Sequence, residues 1–479
     1  MNFSKKYKMV SVQAKASIWF VFCSFLQKGI SFITVPIFTR LLTTEEYGTY
    51  SLYLSWLQII TIITSLNLFN GVLDNAMSKY EEDRDRFISA MQGLTITLTT
   101  VAFIIYLAAS NFWSHLLGLA PVYILLMFIE MYVRPSMLFW SGKQRFEYKY
   151  KQQVFTTLTK SIVNPVLGLV MVYTMADRSF ARVLSIVIVE VIFCGFFMIL
   201  QFARGKTFYN AFYWKYGLKL AIPMLPHYLA GTILNQGDRV MIEKMVNKSA
   251  VAFYSVAYSI GMLVQIFTSA INSAITPWVY QKMKNKENEG VAKTFNGLLV
   301  FVAGISIALM LVSPELMLIF GSSEYVQGAY VIPPVAASVY FIFLYYLFSL
   351  PQFFFEKTKF LFIASLAAAV LNLGLNYIFI NLYGYVAAGY TTLACYVAYS
   401  IGHYLVSKRV LGHFMDGKSL FDVKTIVLIS IVLIGFGIGV NYIFDFRILR
   451  FAILVAELIV AFILRKRILQ MFKKKKAAE

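Results

Sequence analysis

The stretch AKASIWFVFCSFLQKGISFITVPIFT, residues 14–39, decides the fold. It is apolar over nearly its whole length and carries only two charges, Lys15 and Lys28. At ~1.5 Å per residue a helix of about 20 residues already crosses a ~30 Å hydrocarbon core, so this segment is long enough to span. It is also too long for a signal-peptide apolar region and has no small-residue A-x-A cleavage site, so it is expected to stay on as the first transmembrane helix.

The rest of the chain repeats the pattern. Hydrophobic residues make up 59% of its 479 residues, charged residues 14%, and mean hydropathy is +0.69, whereas soluble domains carry about 25% charge. Fourteen spans are expected, near 14–39, 49–73, 87–110, 116–140, 154–175, 182–203, 219–237, 249–278, 294–313, 327–350, 360–380, 385–406, 425–443 and 450–464. The fourteenth is short and carries Glu457. No room is left between them for a soluble domain.

Loop charge then orients the chain. Of the 43 Lys and Arg, 31 fall in segments on the side of the N-terminus and 8 on the opposite side. Lys15, Lys28, Arg134 and Lys160 are intramembrane or borderline, and Arg182 is counted with the opposite loops. Basic short loops stay in the cytoplasm, so both termini are expected there. The formal charge of +20, which in a soluble protein suggests nucleic acid, is explained by loops facing anionic lipid. The tail Lys473–Lys476 is read as a solvated, topology-fixing end.

Nothing in the sequence asks for a cofactor, and no enzyme is read here. Cys23, Cys194 and Cys395 lie far apart in apolar segments and are read as small buried hydrophobes. Four His and no HExxH, GxSxG or Walker pattern leave catalysis without a motif. A coupling ion, sodium or proton, is left unnamed.

Polar residues are costly in lipid unless they meet partners or water, so aligned ones mark a packed or wet helix face. Span one carries Ser17, Ser24, Lys28, Ser31 and Thr34; span two carries Ser51, Ser55, Gln58, Thr61 and Ser65. Span seven carries Tyr228, Thr232, Asn235 and Arg239; span eight carries Tyr258, Gln265, Thr268, Asn272 and Thr276. Helix-to-helix glue accounts for one such stripe; four favour a shared cavity. Lys28, beside Gln27, sits near the middle of its span and needs water, an anion or a carboxylate, for which Glu190 of span six is a candidate. Glu130 and Arg134 have i,i+4 spacing for mutual neutralisation, and Lys160 is near enough to a helix end to snorkel. Pro223 and Pro226 are expected to break span seven. Thr43 and Glu46 have capping-box spacing, which starts span two.

An internal echo, EEYGTYSLY (45–53) against SAVAFYSVAY (249–258), superimposes Tyr50-Ser51 on Tyr254-Ser255. It suggests two halves of six helices followed by an extra pair: residues 1–210, 211–410 and 411–479.

Four longer segments carry a family resemblance. VPIFTRLLTTEEYGTYSLY (35–53) resembles the first-hairpin signature of the polysaccharide biosynthesis flippases, within the multidrug/oligosaccharidyl-lipid/polysaccharide exporter superfamily. IPMLPHYLAGTILNQGDRVMI (222–242) is similar to that family's seventh helix, including Asp238 and Arg239. FGSSEYVQGAYVIPP (320–334) resembles its outer loop between helices nine and ten, and LNLGLNYIFINLYGYVAAGYTTL (371–393) its Asn-rich eleventh helix and Tyr-Gly turn. Asn381 stands where that turn often has Pro.

The resemblance implies an all-α polytopic fold of two pseudo-symmetric six-helix lobes plus a C-terminal pair, with helices 1, 2, 7 and 8 lining a cleft. It implies a substrate, a polyprenyl diphosphate bearing a short glycan, flipped to the outer leaflet of a bacterial cytoplasmic membrane by alternating access. Stripping each sugar hydroxyl of water costs ~4–8 kcal/mol against alkane, so such a head group needs a polar path. Lys28, Gln27, Ser24, Ser31, Gln58, Asn235, Gln265, Arg134 and Lys160 are the expected substrate contacts, and Asp238, Arg239, Arg40 and Glu190 the gating or coupling groups. Membrane lipids and, for O-antigen, capsule or exopolysaccharide assembly, a polymerase and other glycan-assembly proteins are the expected partners; nucleic acid is not. The rival readings are a cation-coupled multidrug exporter of the same superfamily and a non-transporting scaffold for glycan enzymes.

Overall fold

The computed structural model describes residues 11–357 and 359–473. The basic N-terminal tail and Lys474–Lys476 lie outside them. Among the described residues there is no strand, and each expected span falls on helix.

The helices are α1 (Val12–Leu41), α2 (Thr44–Ser65), α3 (Val72–Lys79), α4 (Arg84–Ala108), α5 (Ser110–Leu117), α6 (Pro121–Phe146), α7 (Tyr150–Thr174), α8 (Arg178–Gly205) and α9 (Ala211–Met245). They continue as α10 (Lys248–Gly261), α11 (Val264–Lys284), α12 (Val291–Leu311), α13 (Ser313–Phe320), α14 (Ile332–Phe354), α15 (Lys359–Tyr383), α16 (Val386–Phe414), α17 (Val423–Gly439) and α18 (Arg447–Lys473). Ten segments among the described residues are long and apolar enough to cross a membrane, so the protein is a multi-pass membrane protein. A helix satisfies its own backbone polar groups, which is why a chain this apolar is built of little else.

Local chemistry sets the helix ends. The Thr43 hydroxyl accepts from the Glu46 amide at 3.2 Å while the Glu46 carboxylate accepts from the Thr43 amide at 2.7 Å, the full capping box at the start of α2. The Asn247 side chain caps α10 in the same way by accepting from the Ala250 amide at 2.8 Å. Thr43 stands seven residues before Tyr50, and Asn247 seven before Tyr254, so the two echoing sequences begin capped helices at the same register. A further correspondence follows: α4 and α12 each lead into an eight-residue helix, α5 and α13, before the next long helix begins with a proline in its first turn.

Pro223 and Pro226 do not break span seven. α9 runs through both for 35 residues, since each proline removes only one backbone bond and the apolar surroundings leave the freed carbonyls no better alternative than helix. The interruption lies instead in span eight, at Met262–Leu263 between α10 and α11, where the sequence has only Gly261 as a warning.

The chain forms two compact units, one ending at Lys244 and the other starting at Met245. Helix α9 therefore packs with the first unit. The Trp214 indole donates to the Ala90 carbonyl at 2.8 Å, and Tyr213 and Ala221 join a core with Leu68, Leu73, Phe87 and Met91. Gly93 is needed there, because a Cβ at this position would come within 1.9 Å of the Phe208 carbonyl oxygen. In the second unit α18 is clamped to α13: Arg450, 2% exposed, donates through Nη1 and Nη2 to the two Glu315 carboxylate oxygens at 2.7 and 2.8 Å. That hydrogen bonding holds the Glu315 carboxyl below its usual range despite partial burial.

Candidate functional site: a charge network inside the first unit

Helix α6 presents Glu130 and Arg134 one turn apart toward α2. Arg134 Nη1 donates to Glu130 Oε1 at 2.8 Å, and the buried Tyr53 hydroxyl donates to Glu130 Oε2 at 2.9 Å. Glu130 is 1% exposed, whereas the Arg134 side chain is 34% exposed, so the carboxylate anchors a partly exposed arginine. The expected neutralising pair is present, with a third member that its spacing could not reveal.

A second pair joins α7 to α8. Lys160 Nζ lies 2.7 Å from Glu190 Oε2, and the Cys194 thiol lies 2.9 Å from the same oxygen. Lys160 therefore does not snorkel: Glu190, 30 residues on in sequence, neutralises it at depth, which removes the reason to reach the interface. The assignment of Glu190 to Lys28 is corrected by the same contact. Cys194 is buried as expected, but as a polar partner of Glu190 rather than an inert hydrophobe.

The two pairs adjoin: Lys160 Nζ lies 3.6 Å from Met137 Sδ, on the same helix α6 that carries Glu130 and Arg134. Two acids and two bases in lipid give a network with no net formal charge, the arrangement in which intramembrane charges are least costly.

The stripe residues divide. Lys28, Ser24 and Ser31 are exposed on α1, and among the described residues Lys28 has no ion pair. Gln27 reaches Ser161 of α7, at a long 3.4 Å. Gln58 and Ser55 of α2 are tied to α9 by a residue the sequence reading passed over, Gln236: its amide donates to Gln58 Oε1 at 3.1 Å and accepts from Ser55 Oγ at 3.2 Å. One helical turn before Arg239 and Val240, Gln236 had a polar signal, but it stood off the stripe chosen for span seven. Asn235 bonds its own helix through the Gly231 carbonyl and receives Arg239 Nη1 on its carbonyl at 2.8 Å. Asp238 and Arg239 are both buried. Arg40 is exposed and donates to the Pro36 carbonyl at the end of α1. Gln265 belongs to the second unit, just after the α10–α11 break, half-buried, with its carbonyl accepting from Ser269 at 2.7 Å. Arg134, Lys160 and Glu190 are thus brought together; Lys28 and Gln265 are not part of that network.

Solved structures with this fold are transporters. A lipid II flippase MurJ in an inward closed conformation has a TM-score of 0.73 at 14% identity, covering 94% of this chain and 100% of that one. An inward-facing multidrug resistance MATE family transporter of the MOP superfamily has a TM-score of 0.63 at 14% identity, covering 82% and 96%. The family models that match this chain, polysaccharide biosynthesis protein and MatE, place it with that fold among the membrane transporters of the multidrug/oligosaccharidyl-lipid/polysaccharide exporter superfamily.

Within it, the chain belongs to the polysaccharide biosynthesis protein family, whose model matches residues 14–283; a MatE model matches residues 223–378. It is also similar to Lsg locus putative protein 1 of Haemophilus influenzae, 23% identical over 57% of this chain and 67% of that protein. An uncharacterized membrane protein of the same organism is 22% identical over 72% of this chain and 85% of its own length.

Proposed function

We propose that this protein flips a polyprenyl-diphosphate-linked oligosaccharide from the inner to the outer leaflet of a bacterial cytoplasmic membrane, by alternating access, for assembly of a surface polysaccharide. The observation that carries this reading is the family match over residues 14–283, which contains the whole charge network. The chemistry supports it. A diphosphate asks for cations in lipid, and the first unit offers Lys28, exposed in mid-helix, and Arg134, partly exposed and held by Glu130. Lys160, engaged by Glu190, becomes available only when that pair opens.

Two carboxylates in membrane helices, together with the MatE match, favour one second reading, a cation-coupled multidrug exporter. The two are separated by deleting the gene in its host and following both lipid intermediates and drug sensitivity. The flippase reading expects undecaprenyl-linked glycan trapped in the inner leaflet and loss of surface glycan. Unchanged lipid intermediates with increased drug sensitivity would reverse the choice.

A further inference from the structure

The buried cations of the network and of the Arg450 clamp all sit against carboxylates. Arg182 of α8 does not. It is 5% exposed, and among the described residues no carboxylate pairs with it. Its surroundings are neutral: Nη1 donates to Asn164 Oδ1 of α7 at 3.0 Å and to Ser185 Oγ at 3.2 Å, and Nη2 lies 3.5 Å from the Tyr50 hydroxyl. The Phe38 ring of α1 lies 4.2 Å from the guanidinium carbon and the Tyr50 ring 5.1 Å. Nε is buried with no partner.

These contacts hold the two edges of the guanidinium unequally. Asn164 and Ser185 fix Nη1, whereas Nη2 has only the long 3.5 Å bond to the Tyr50 hydroxyl and Nε has none; Nε and Nη2 are the parallel pair of donors that a tetrahedral oxyanion takes bidentately. The cradle is built closely: a Cβ on Gly168 would stand 2.9 Å from Nη1 and 2.9 Å from the Phe38 ring, so a larger residue there would have to push these side chains aside. Aromatic faces soften the cost of a buried charge but do not cancel it, and a charge kept in a membrane helix without a counter-ion is a site waiting for one.

We propose that Arg182, oriented by Asn164 and Ser185, forms a second anion site in the first unit, which takes the diphosphate of the transported lipid. With basic loops in the cytoplasm, Arg182 stands at the outward end of α8, so this site serves the exit half of the cycle. It rests on the flippase reading for the identity of the ligand, though not for the binding of phosphate. In the conformation described Phe38 covers one face of the guanidinium, and displacement of this end of α1 opens the site.

The test uses the purified full-length protein in detergent at constant ionic strength, in a Lys28→Ala background so that the cation of span one does not contribute. Equilibrium binding of radiolabelled inorganic pyrophosphate is measured for Arg182, Arg182→Gln and Asn164→Asp. The Asp variant keeps the arginine and its packing but supplies a carboxylate to Nη1, so it remains informative if the Gln variant folds poorly. Both substitutions are expected to weaken binding by about tenfold or more, the loss of one charged bidentate contact. Binding unchanged in Asn164→Asp, or no pyrophosphate binding above that of chloride in the Arg182 protein, would overturn the site. Competition then identifies the source of phosphate: displacement of pyrophosphate by polyprenyl diphosphate at lower concentration than by phosphatidylglycerol supports the transported lipid, and equal or better displacement by phosphatidylglycerol overturns it. If the site binds but gene deletion leaves lipid-linked glycan unchanged, the flippase reading fails while the anion site stands.

Discussion

Replacing Lys160 by Met leaves the Glu190 carboxylate without the cation 2.7 Å away, in a helix where it is 9% exposed. Removing one partner of a buried ion pair costs about 3–5 kcal/mol, because the remaining charge stays desolvated. The Lys160 side chain is 19% exposed and Cys194 still contacts Glu190, so the lower end of that range, about 3 kcal/mol, is expected here. Glu190→Leu should cost a similar amount by stranding Lys160. The double variant Lys160→Met/Glu190→Leu replaces the pair with apolar groups of similar length and should lie close to the wild type, giving a coupling of about 6 kcal/mol, the two single costs that the double variant no longer shows. Reversible unfolding in mixed micelles with rising sodium dodecyl sulfate, followed by the fluorescence of the six tryptophans, measures all four corners of the cycle. Single variants that each cost under about 1 kcal/mol and simply add would refute the view that these two side chains neutralise one another in the membrane.

Thr43→Ala removes half of the capping box on α2 and should cost about 1 kcal/mol, read as a lower melting temperature with the fold retained. Gly93→Ala forces a methyl group onto the Phe208 carbonyl between α4 and the segment after α8, and should cost about 1–3 kcal/mol or lower the folded yield outright, as measured by gel filtration. The Glu315 carboxyl is held low by Arg450, so its contribution to stability is present above the carboxyl's unfolded value and fades as pH falls through its folded one. Melting profiles taken down through the acid range should therefore show a loss that Glu315→Gln, already less stable at neutral pH, no longer shows.

The sequence-level reading succeeded where the signal was local. Length and apolarity located the helices, and the four-residue spacing of Glu130 and Arg134 announced their pair. It failed where partners are distant. Nothing near Lys160 points to Glu190, and Tyr53 meets Glu130 across 77 residues. Arg182 was counted among outer loop charges because a hydropathy window ends at its position, yet the helix starts at Arg178 and carries its side chain inward. The prolines of α9 misled in the opposite way. Proline weakens a helix in water, but in an apolar setting the remaining carbonyls have nowhere else to go, so α9 persists while α10 and α11 part at a place that carries no proline at all.

The central claim is transport, and it is tested most directly in proteoliposomes carrying the purified protein and a short polyprenyl-diphosphate oligosaccharide in both leaflets. A glycosidase added outside should digest only the outer pool in protein-free vesicles, and should go on to consume the inner pool when the protein is present. Digestion that stops at the outer pool with the folded protein in place would contradict the account.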